Sequence, residues 1–259
     1  MKVSIITVCY NADRTIERTI SSVLEQTYHN IEYIVIDGGS TDNTLQIIQK
    51  YSVNISHLIS EKDSGIYDAM NKGIRIASGD IVGILNADDE FMNDKIISKI
   101  VDTFINNSSC QAIIGDIVFK NSRRGIIRYY SAKNWNPSQF ESGYMPPHPS
   151  FYCMRELFGQ LGYYRTDFQI ASDYELLVRF LRVNKVKYCY LPEVIVSMRL
   201  GGKSSAGLRS TLIINKEIYR ACCLNGLTTN YFCLYLRYFI KIFEFTVKYY
   251  VSIPKKQTV

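Results

Sequence analysis

The sequence predicts an α/β fold in which a mixed, mainly parallel sheet is flanked by helices. The first 120 residues switch repeatedly between the alternating apolar pattern of strands and the apolar spacing of helices. The connections between these segments are short, and no low-complexity stretch or internal repeat interrupts them. Alternation of this kind is typical of βαβ units, which build layered sheets.

Nine segments of this half of the chain carry one of the two patterns. The predicted strands are Val3–Cys9, Ile31–Ile36, Ile55–Ile59, Ile81–Leu85 and Ala112–Val118. The predicted helices are Arg14–Glu25, Asn43–Tyr51, Ile66–Ala77 and Lys95–Ile105.

The composition is that of a globular protein. The chain has 259 residues, of which 47% are hydrophobic, enough for one large domain or one domain with an appendage, and a disordered protein is excluded. Seven cysteines lie scattered without CxxC pairs, which predicts buried thiols in a reducing compartment. The N-terminal apolar run is too short for a signal peptide, so we expect the bulk of the protein in the cytoplasm.

The charge distribution narrows the class of partner. The net charge is +6, and the surplus of Lys and Arg falls mostly after residue 120, without a compact basic run before the C-terminus. This favours anionic ligands or membrane lipid over nucleic acid.

Polar loops follow three of the predicted strands. They are Tyr10–Asp13, Asp37–Asp42 and Asn86–Asp89. Because sheets of this kind bind ligands beyond the C-terminal ends of their strands, we expect the three loops to converge on one edge. Asp37 is either a turn carboxylate or an acceptor of hydrogen bonds from a nucleobase or ribose.

Asp88 and Asp89 are adjacent carboxylates at the end of a buried strand. Such a pair is stable only if it is solvated or shares a cation, and Mg²⁺ and Mn²⁺ accept one or two carboxylates with phosphate oxygens and water. The alternative is that one of them caps the helix after Phe91. The sequence has neither GxGxxG nor GxxxxGK[ST], so a metal would have to supply the positive charge that a bound diphosphate needs.

The second half has a less regular pattern. Prolines make Ser142–Ser150 a loop. A helix follows Ala171–Glu175, with Ser172 as its cap and apolar residues at core spacing. Val186–Leu191 is a predicted strand, and Gly201–Gly207 is a flexible loop.

The C-terminal segment Tyr231–Ile253 is rich in aromatic and aliphatic residues. Its charges, Arg237, Lys241, Glu244 and Lys248, fall on one narrow side of a helix. Such a helix is either buried between other helices or lies in a membrane interface with Lys255 and Lys256 on anionic lipid. We favour the interface, because Tyr and Lys suit it and four charges in mid-helix disfavour a transmembrane span.

Five blocks of the sequence stand out together, and in chain order they are TVCYN, VIDGGSTDNT, EKDSGIYDAMNKGI, ILNADDEF and IASDYELLVRF. In this order and spacing they resemble the family 2 glycosyltransferases of the GT-A fold, and more narrowly the bacterial enzymes that build O-antigen, lipopolysaccharide and other surface polysaccharides. The resemblance covers residues 1 to about 205, and the set of five is highly specific where any one block alone would be weak.

The resemblance implies a binding site for a nucleotide-sugar donor, usually a UDP-sugar. Its pocket residues would be Thr7, Cys9, Tyr10, Asn11, Asp37, Asp68, Asn71, Lys72, Asn86, Ala87 and Asp88. Met70 stands where many relatives have Arg, so the phosphate contact would pass to Lys72 or Lys62. The stretch ILNADD occupies the DxD motif, with Asn86 in place of its first Asp, Asp88 as the ligand of Mn²⁺ or Mg²⁺, and Asp89 as a second possible ligand.

Asp173 matches the catalytic base of the family. A position at a helix N-terminus would favour its anionic form. Glu175 is the second candidate, although two residues along a helix it points elsewhere. His148 is either incidental or in contact with the acceptor, and Arg199 and Lys203 would belong to a loop that closes over the diphosphate.

The resemblance implies a metal-dependent inverting hexosyl- or N-acetylhexosaminyltransferase that acts on a lipid-linked saccharide. We expect it at the cytoplasmic face of the inner membrane. Residues 1–208 would form the GT-A domain, with a nucleotide-binding half (1–120) and an acceptor half (121–208), and 209–259 would form a helical membrane-associating extension.

Two other classes of function are open to the same sequence. A nucleotidyltransferase would need a Gly-rich basic loop near its N-terminus, and TVCYNADRT is not one. A non-catalytic sugar-binding assembly subunit would be favoured if Asp88 or Asp173 were absent, and both are present.

Overall fold

The computed structural model describes residues 1–121, 125–199 and 208–238. The strands are β1 (Val3–Cys9), β2 (Ile31–Asp37), β3 (His57–Ser60), β4 (Ile81–Ile84), β5 (Asp89–Phe91), β6 (Ala112–Asn121), β7 (Gly125–Tyr130), β8 (Tyr152–Met154) and β9 (Tyr188–Arg199). The helices are α1 (Ile16–Leu24), α2 (Thr44–Gln49), α3 (Ile66–Ile76), α4 (Ile96–Asn106), α5 (Glu156–Leu161), α6 (Ser172–Leu177) and α7 (Leu208–Leu224). Residues 231–238 are also helical.

One mixed sheet holds all nine strands of the described residues. Its order is β3-β2-β1-β4-β8-β6-β9-β5, and β7 pairs with β6 outside this path. The strands β3, β2, β1 and β4 run parallel, whereas β8 is antiparallel to both of its neighbours. This arrangement confirms the predicted mixed α/β fold.

Two apolar cores lie on the two faces of the sheet. Along β1, Ile6 and Val8 belong to the core that includes α3 and α6, while Val3 and Ile5 belong to the core of α1 and α4. This split follows from the alternation of side chains along a strand. Helices therefore flank the sheet, as the sequence predicted.

Two glycines allow close packing next to the parallel strands. A Cβ on Gly73 of α3 would lie 2.4 Å from the side chain of Ile6, so this glycine brings α3 against β1. A Cβ on Gly83 would lie 2.0 Å from the ring of Tyr152, its partner in β8. The contact of α3 with β1 and the pairing of β4 with β8 therefore both require glycine.

Several predictions about the second half were wrong. Ser172 does not cap α6, because Ala171 occupies the cap position and no side chain caps the helix. The last predicted strand begins two residues later and runs on to Arg199. Short or exposed elements of this half were missed, namely β7, β8, α5 and the turns Pro137–Ser142 and His148–Ser150, and so was β5 in the first half. The loop at 201–207 lies outside the described residues.

The C-terminal segment differs from its prediction at Arg237. This residue is only 6% exposed, and its guanidinium donates to Asn215 Oδ1 at 2.7 Å and to the carbonyl of Gly143. Phe232 and Leu236 are instead 76% and 42% exposed. The 231–238 helix therefore packs on the protein through Arg237 and turns part of its apolar side outward. Lys241, Glu244, Lys248, Lys255 and Lys256 lie outside the described residues.

No helix in the described parts of the chain has both the length and the apolar composition needed to cross a bilayer.

A buried carboxylate joins the N-terminal ends of β1 and β2. Glu32 is 3% exposed and accepts hydrogen bonds from Lys2 Nζ at 2.8 Å, from the Ser78 backbone N–H at 2.7 Å and from the hydroxyls of Ser4 and Ser78. Burial by itself would raise the pKa of Glu32, but these donors hold it at about 2. The folded state therefore favours the ionised carboxylate.

We expect Glu32→Gln to lower the free energy of unfolding by about 1–3 kcal/mol at pH 7, because an amide leaves some of these buried donors unpaired. The folded pKa lies below the ordinary value of about 4.3, so the stabilisation is complete above that pH and is lost as the pH falls towards 2. Urea unfolding at several pH values should therefore show a difference between variant and wild type that shrinks in acid.

The control for this prediction is Glu25→Gln, at an exposed position. A Glu32→Gln protein as stable as this control at pH 7 would contradict the assigned role of the carboxylate.

Candidate active site

The loops after β1 and β2 are tied together at the C-terminal edge of the sheet. Cys9 is paired in register with Asp37, and the backbone N–H of Gly38 donates to the carbonyl of Cys9 at 2.9 Å. Asn11 continues the link, because its N–H donates to Ser40 Oγ and its Oδ1 accepts from the Thr41 N–H, both at 2.8 Å. Its φ of 50° is one that asparagine tolerates better than most residues. The first two predicted loops do converge.

The loop after β4 reaches the same edge. The N–H of Leu85 donates to the carbonyl of Ile6 at 2.9 Å, which keeps the chain beside β1 as it leaves the sheet. Asn86 Nδ2 then donates to Asp89 Oδ2 at 3.2 Å. Asn86 Oδ1 and Asp89 Oδ1 are buried, and neither has a hydrogen-bond partner among the described residues. Two oxygens at this edge thus lack the donors that buried acceptors normally have.

The adjacent carboxylates are held in an unfavourable environment. Burial raises the pKa of Asp88, and the nearby charge of Arg199 opposes this shift. Burial and the charge of Asp88 together raise the pKa of Asp89 well above its usual range. The alternative of a helix cap is wrong, because Asp89 belongs to β5 and Lys95 occupies the cap position of α4.

The donor set at this edge fits a divalent cation, but incompletely. Within the described residues, no group of three or more His, Cys, Asp and Glu side chains could hold a metal. The partly exposed Asp88 and the unpartnered oxygens of Asn86 and Asp89 are nevertheless the hard ligands that Mg²⁺ and Mn²⁺ prefer. If a cation binds here, these side chains would supply only part of its coordination shell, and phosphate oxygens and water would have to complete it.

Asp37 is buried and already occupied by protein donors. It is fully inaccessible, and it accepts from the Ser40 N–H at 3.1 Å and from Ser60 Oγ at 2.7 Å. The thiol of Cys9 lies 3.7 Å from Asp37 Oδ1. Burial, followed by the charge of Asp37, raises the pKa of Cys9, so this cysteine is a neutral thiol. In this structure the hydrogen bonds of Asp37 therefore stabilise the loop after β2.

Three further residues of the predicted donor pocket are divided between the core and the surface. Thr7 is fully buried within β1, and its hydroxyl accepts from Tyr33 at 3.1 Å, so it is not brought to the edge of the sheet. Tyr10 is 55% exposed beside that edge. Ala87, between Asn86 and Asp88, is buried.

Asp63 is a carboxylate beside the loop after β2 that the sequence pattern did not single out. It is partly exposed, and its Oδ2 would lie only 2.4 Å from a Cβ on Gly38. The signal for it was present, since β3 is parallel to β2 and Asp63 comes shortly after Ser60, the last residue of β3 and the partner of Asp37 in register. It is the more accessible carboxylate of this part of the edge.

The first turns of α3 carry the remaining predicted donor residues. Lys72 Nζ binds Glu61 at 2.8 Å and lies 3.6 Å from Asp68, whose carboxylate also accepts from the Ser64 N–H. Lys62 is exposed nearby, and its carbonyl accepts from Lys72 Nζ at 3.5 Å. This surface therefore combines the long, positively charged side chains of lysines with nearby carboxylates.

Two α3 residues face inward instead. Asn71 is buried and exchanges two hydrogen bonds with the backbone of Tyr164, at 2.8 and 3.0 Å. Met70 is buried in the apolar core. Asn71 thus joins the two halves of the chain rather than facing the sheet edge.

Asp173 lies in the first turn of α6, next to α3. The hydroxyl of Tyr67 is 3.5 Å from Asp173 Oδ1 and also donates to the carbonyl of Ile170. His148 is buried, and its Nε2 is 2.6 Å from the hydroxyl of Tyr164. The charges of His148 and Asp173 affect each other's titration, which places the predicted loop histidine beside the predicted base.

The environment of Asp173 differs from the expected one. Burial raises the pKa of Asp173 and outweighs the lowering effects of His148 and of the Tyr174 N–H, which donates to Oδ1 at 2.8 Å. Burial also lowers the pKa of His148, so the imidazole is neutral at pH 7. A carboxylate with a raised pKa is a stronger base than one that a helix terminus keeps acidic.

Glu175 has a structural partner. It is 2% exposed and bonds Arg179 through both carboxylate oxygens, at 3.1 and 3.0 Å. Arg179 also donates to the carbonyls of Leu161, Gly162 and Tyr163. The pair of Glu175 and Arg179 therefore fixes the chain that leads from α5 towards α6.

The two predicted lid residues have different outcomes. Arg199 ends β9 near Asp88, and Lys203 lies outside the described residues.

Solved structures identify the class of this fold. The TarS protein of Staphylococcus aureus (residues 1–349) aligns with a TM-score of 0.65 at 20% identity, over 85% of this chain and 65% of that one. Glucosyl-3-phosphoglycerate synthase of Mycobacterium tuberculosis, solved with Mn²⁺, UDP and glucosyl-3-phosphoglycerate, aligns with a TM-score of 0.62 at 18% identity, over 88% of this chain and 81% of that one. The curled α/β sheet is therefore of the GT-A type.

The sequence places the chain within that class. The family described as Glycosyl transferase family 2 matches residues 4–171. A glycosyltransferase of Mycobacterium tuberculosis is 33% identical over 180 residues, which are 68% of each chain. The Escherichia coli protein UDP-Glc:alpha-D-GlcNAc-diphosphoundecaprenol beta-1,3-glucosyltransferase WfgD is 37% identical over 121 residues, 46% of this chain and 48% of that one. The chain belongs to glycosyl transferase family 2, as the five blocks indicated.

Proposed function

We propose that the protein transfers one hexose or N-acetylhexosamine from a UDP-sugar to a hydroxyl of a lipid-linked saccharide, in O-antigen, lipopolysaccharide or other surface polysaccharide synthesis. The observation that carries this proposal is the position of Asp173, a partly buried carboxylate with a raised pKa beside Tyr67 of α3. The name of WfgD supports a UDP-sugar donor and a lipid-linked acceptor. Complexes of TarS with UDP and with UDP-GlcNAc support the same donor class.

We assign donor binding to residues 1–120 and acceptor binding to residues 121–208. The loops after β1, β2 and β3 would hold the nucleoside, with Tyr10, Asp37 and Asp63 beside it. Asp88, with Asn86 and Asp89, would hold Mn²⁺ or Mg²⁺ in the position of the DxD motif. When bound, such a cation would stabilise the negative charge of the departing diphosphate.

Asp173 would act as the general base. Its carboxylate would accept the proton of the acceptor hydroxyl while that oxygen attacks the anomeric carbon, and the bond from this carbon to the diphosphate oxygen would break. Attack opposite the leaving group inverts the anomeric configuration. Tyr67 lies close enough to orient the carboxylate, and the neutral His148 adds no competing positive charge at pH 7.

The 231–238 helix would hold the enzyme at the cytoplasmic face of the inner membrane, beside its lipid-linked acceptor. Phe232 and Leu236 expose apolar side chains on a chain of net charge +6. An apolar patch on a basic protein suits an anionic lipid surface.

We expect Asp173→Asn to reduce sugar transfer by about 10²- to 10⁴-fold, because the amide cannot accept the proton of the acceptor. The melting temperature should stay equal or rise, because a carboxylate whose folded pKa is raised destabilises the protein above its unfolded pKa. A panel of UDP-, GDP- and dTDP-sugars with Mn²⁺, assayed for transfer and hydrolysis, measures the activity.

The raised pKa adds a pH signature to this test. The acid limb of the wild-type rate should fall at a pH above the ordinary aspartate value of about 3.9. Asp167→Asn, which alters an exposed carboxylate paired with Arg165 at 2.8 Å, is the control and should keep the wild-type rate. Full activity in Asp173→Asn, or no activity in the wild type with any nucleotide sugar, would contradict the proposal.

Membrane association has its own test. The double variant Phe232→Ser/Leu236→Ser should cosediment less than wild type with vesicles of phosphatidylcholine and phosphatidylglycerol, because it removes exposed apolar surface. Val53→Ser, which alters a side chain 96% exposed on the N-terminal half, should bind like wild type. Equal cosedimentation of all three proteins would remove this helix from the proposed membrane contact.

A further inference from the structure

Glu217 of α7 holds the segment that precedes Asp173. This glutamate is 8% exposed and lies outside residues 4–171, the part that matches the family. Its Oε1 accepts from the N–H of Gln169 at 2.6 Å, and its Oε2 accepts from the N–H groups of Ile170 and Ala171, both at 2.9 Å. One side chain thus binds three consecutive backbone donors.

These donors need an external partner because α6 has no cap of its own. Ala171 occupies the cap position without a side-chain oxygen, and no side-chain hydrogen bond caps the helix. The first N–H groups of a helix, and the donors just before it, have no partner within the helix. A glutamate on a helix more than 40 residues later in the sequence supplies these missing acceptors.

The same segment anchors the hydroxyl beside the base. The carbonyl of Ile170 accepts the hydroxyl of Tyr67, and that hydroxyl is 3.5 Å from Asp173 Oδ1. Glu217 therefore fixes the peptide that fixes Tyr67, and it also fixes the start of the helix that carries Asp173. Glu217 is therefore linked to the Asp173 carboxylate in two ways, through Tyr67 and through the start of α6.

We infer that Glu217 is a positioning residue for the base Asp173, supplied by the C-terminal helix α7. This inference rests on the proposed role of Asp173. A carboxylate is required because both of its oxygens accept hydrogen bonds, whereas glutamine has one oxygen and would turn N–H donors towards a backbone N–H. The expected defect is a displaced base in a folded enzyme.

We expect Glu217→Gln to lower kcat by about 10- to 100-fold, since small displacements of a reacting group have effects of this size. The KM for the donor should change little, because the donor loops belong to another part of the sheet. The acid limb of the kcat profile should move, because the environment of Asp173 changes. Glu217→Asp, which keeps the carboxylate, should recover part of the rate.

The matched control is Arg220→Ala on the same helix. Arg220 joins α7 to Asp167, with a hydrogen bond of 3.0 Å to the Asp167 carbonyl and an ion pair to its carboxylate. This variant should lower the melting temperature while keeping kcat and its pH profile. A loss of kcat in Glu217→Gln no greater than in Arg220→Ala, with an unmoved pH profile, overturns the inference.

A second variant covers the case in which Glu217→Gln does not fold. Tyr67→Phe removes only the hydroxyl that links Ile170 to Asp173, and it should lower kcat and move the acid limb in the same direction. An unchanged kcat and pH profile in Tyr67→Phe would overturn the inference. If wild type is active and Asp173→Asn is inactive while Glu217→Gln matches wild type, only the inference fails. If wild type transfers no sugar, the proposed function fails with it.

Discussion

The central feature of the candidate site is the pair of adjacent carboxylates that the chain brings to the sheet edge after β4. Asp88 and Asp89 lie where burial raises the pKa of each, and the oxygens Asn86 Oδ1 and Asp89 Oδ1 have no partner within the described residues. Under the proposed function, a divalent cation would relieve this arrangement. With Asn86 in place of an aspartate, the protein would offer few anionic ligands, so the diphosphate would have to contribute to the binding of the metal.

The helix α3 joins this edge to the proposed base. Its N-terminus follows the loop that holds Asp63, its Tyr67 lies beside Asp173, and its Asn71 bonds the backbone of Tyr164. Gly73 allows the helix to lie close enough to β1 for these contacts. The packing of this one helix on the sheet therefore sets the distance between the proposed donor loops and the proposed base. The position of Asp173 is then held from the other side by α7.

The sequence predicted most of the first half because its strands and helices are long and regular, and β1 begins and ends as expected. It missed β5, a strand of three residues whose first, Asp89, is the second of two aspartates that also suit a helix cap. The apolar periodicity of a sequence does not predict contacts between segments that are far apart in the chain. Nothing local indicates that Glu217 binds residues 169–171, or that Arg237 turns inward to Asn215. His148 looked incidental for the same reason, since its partner Tyr164 lies on a later loop.

Titration calorimetry of Mn²⁺ into the protein, with and without UDP, tests whether cation and diphosphate bind to this edge together. We expect weak binding of Mn²⁺ alone and a gain of at least about tenfold in affinity at saturating UDP. Linkage requires that Mn²⁺ improve UDP affinity by the same factor. Equal Mn²⁺ affinity with and without UDP, or tight UDP binding that does not respond to Mn²⁺, would contradict a site that cation and diphosphate complete together.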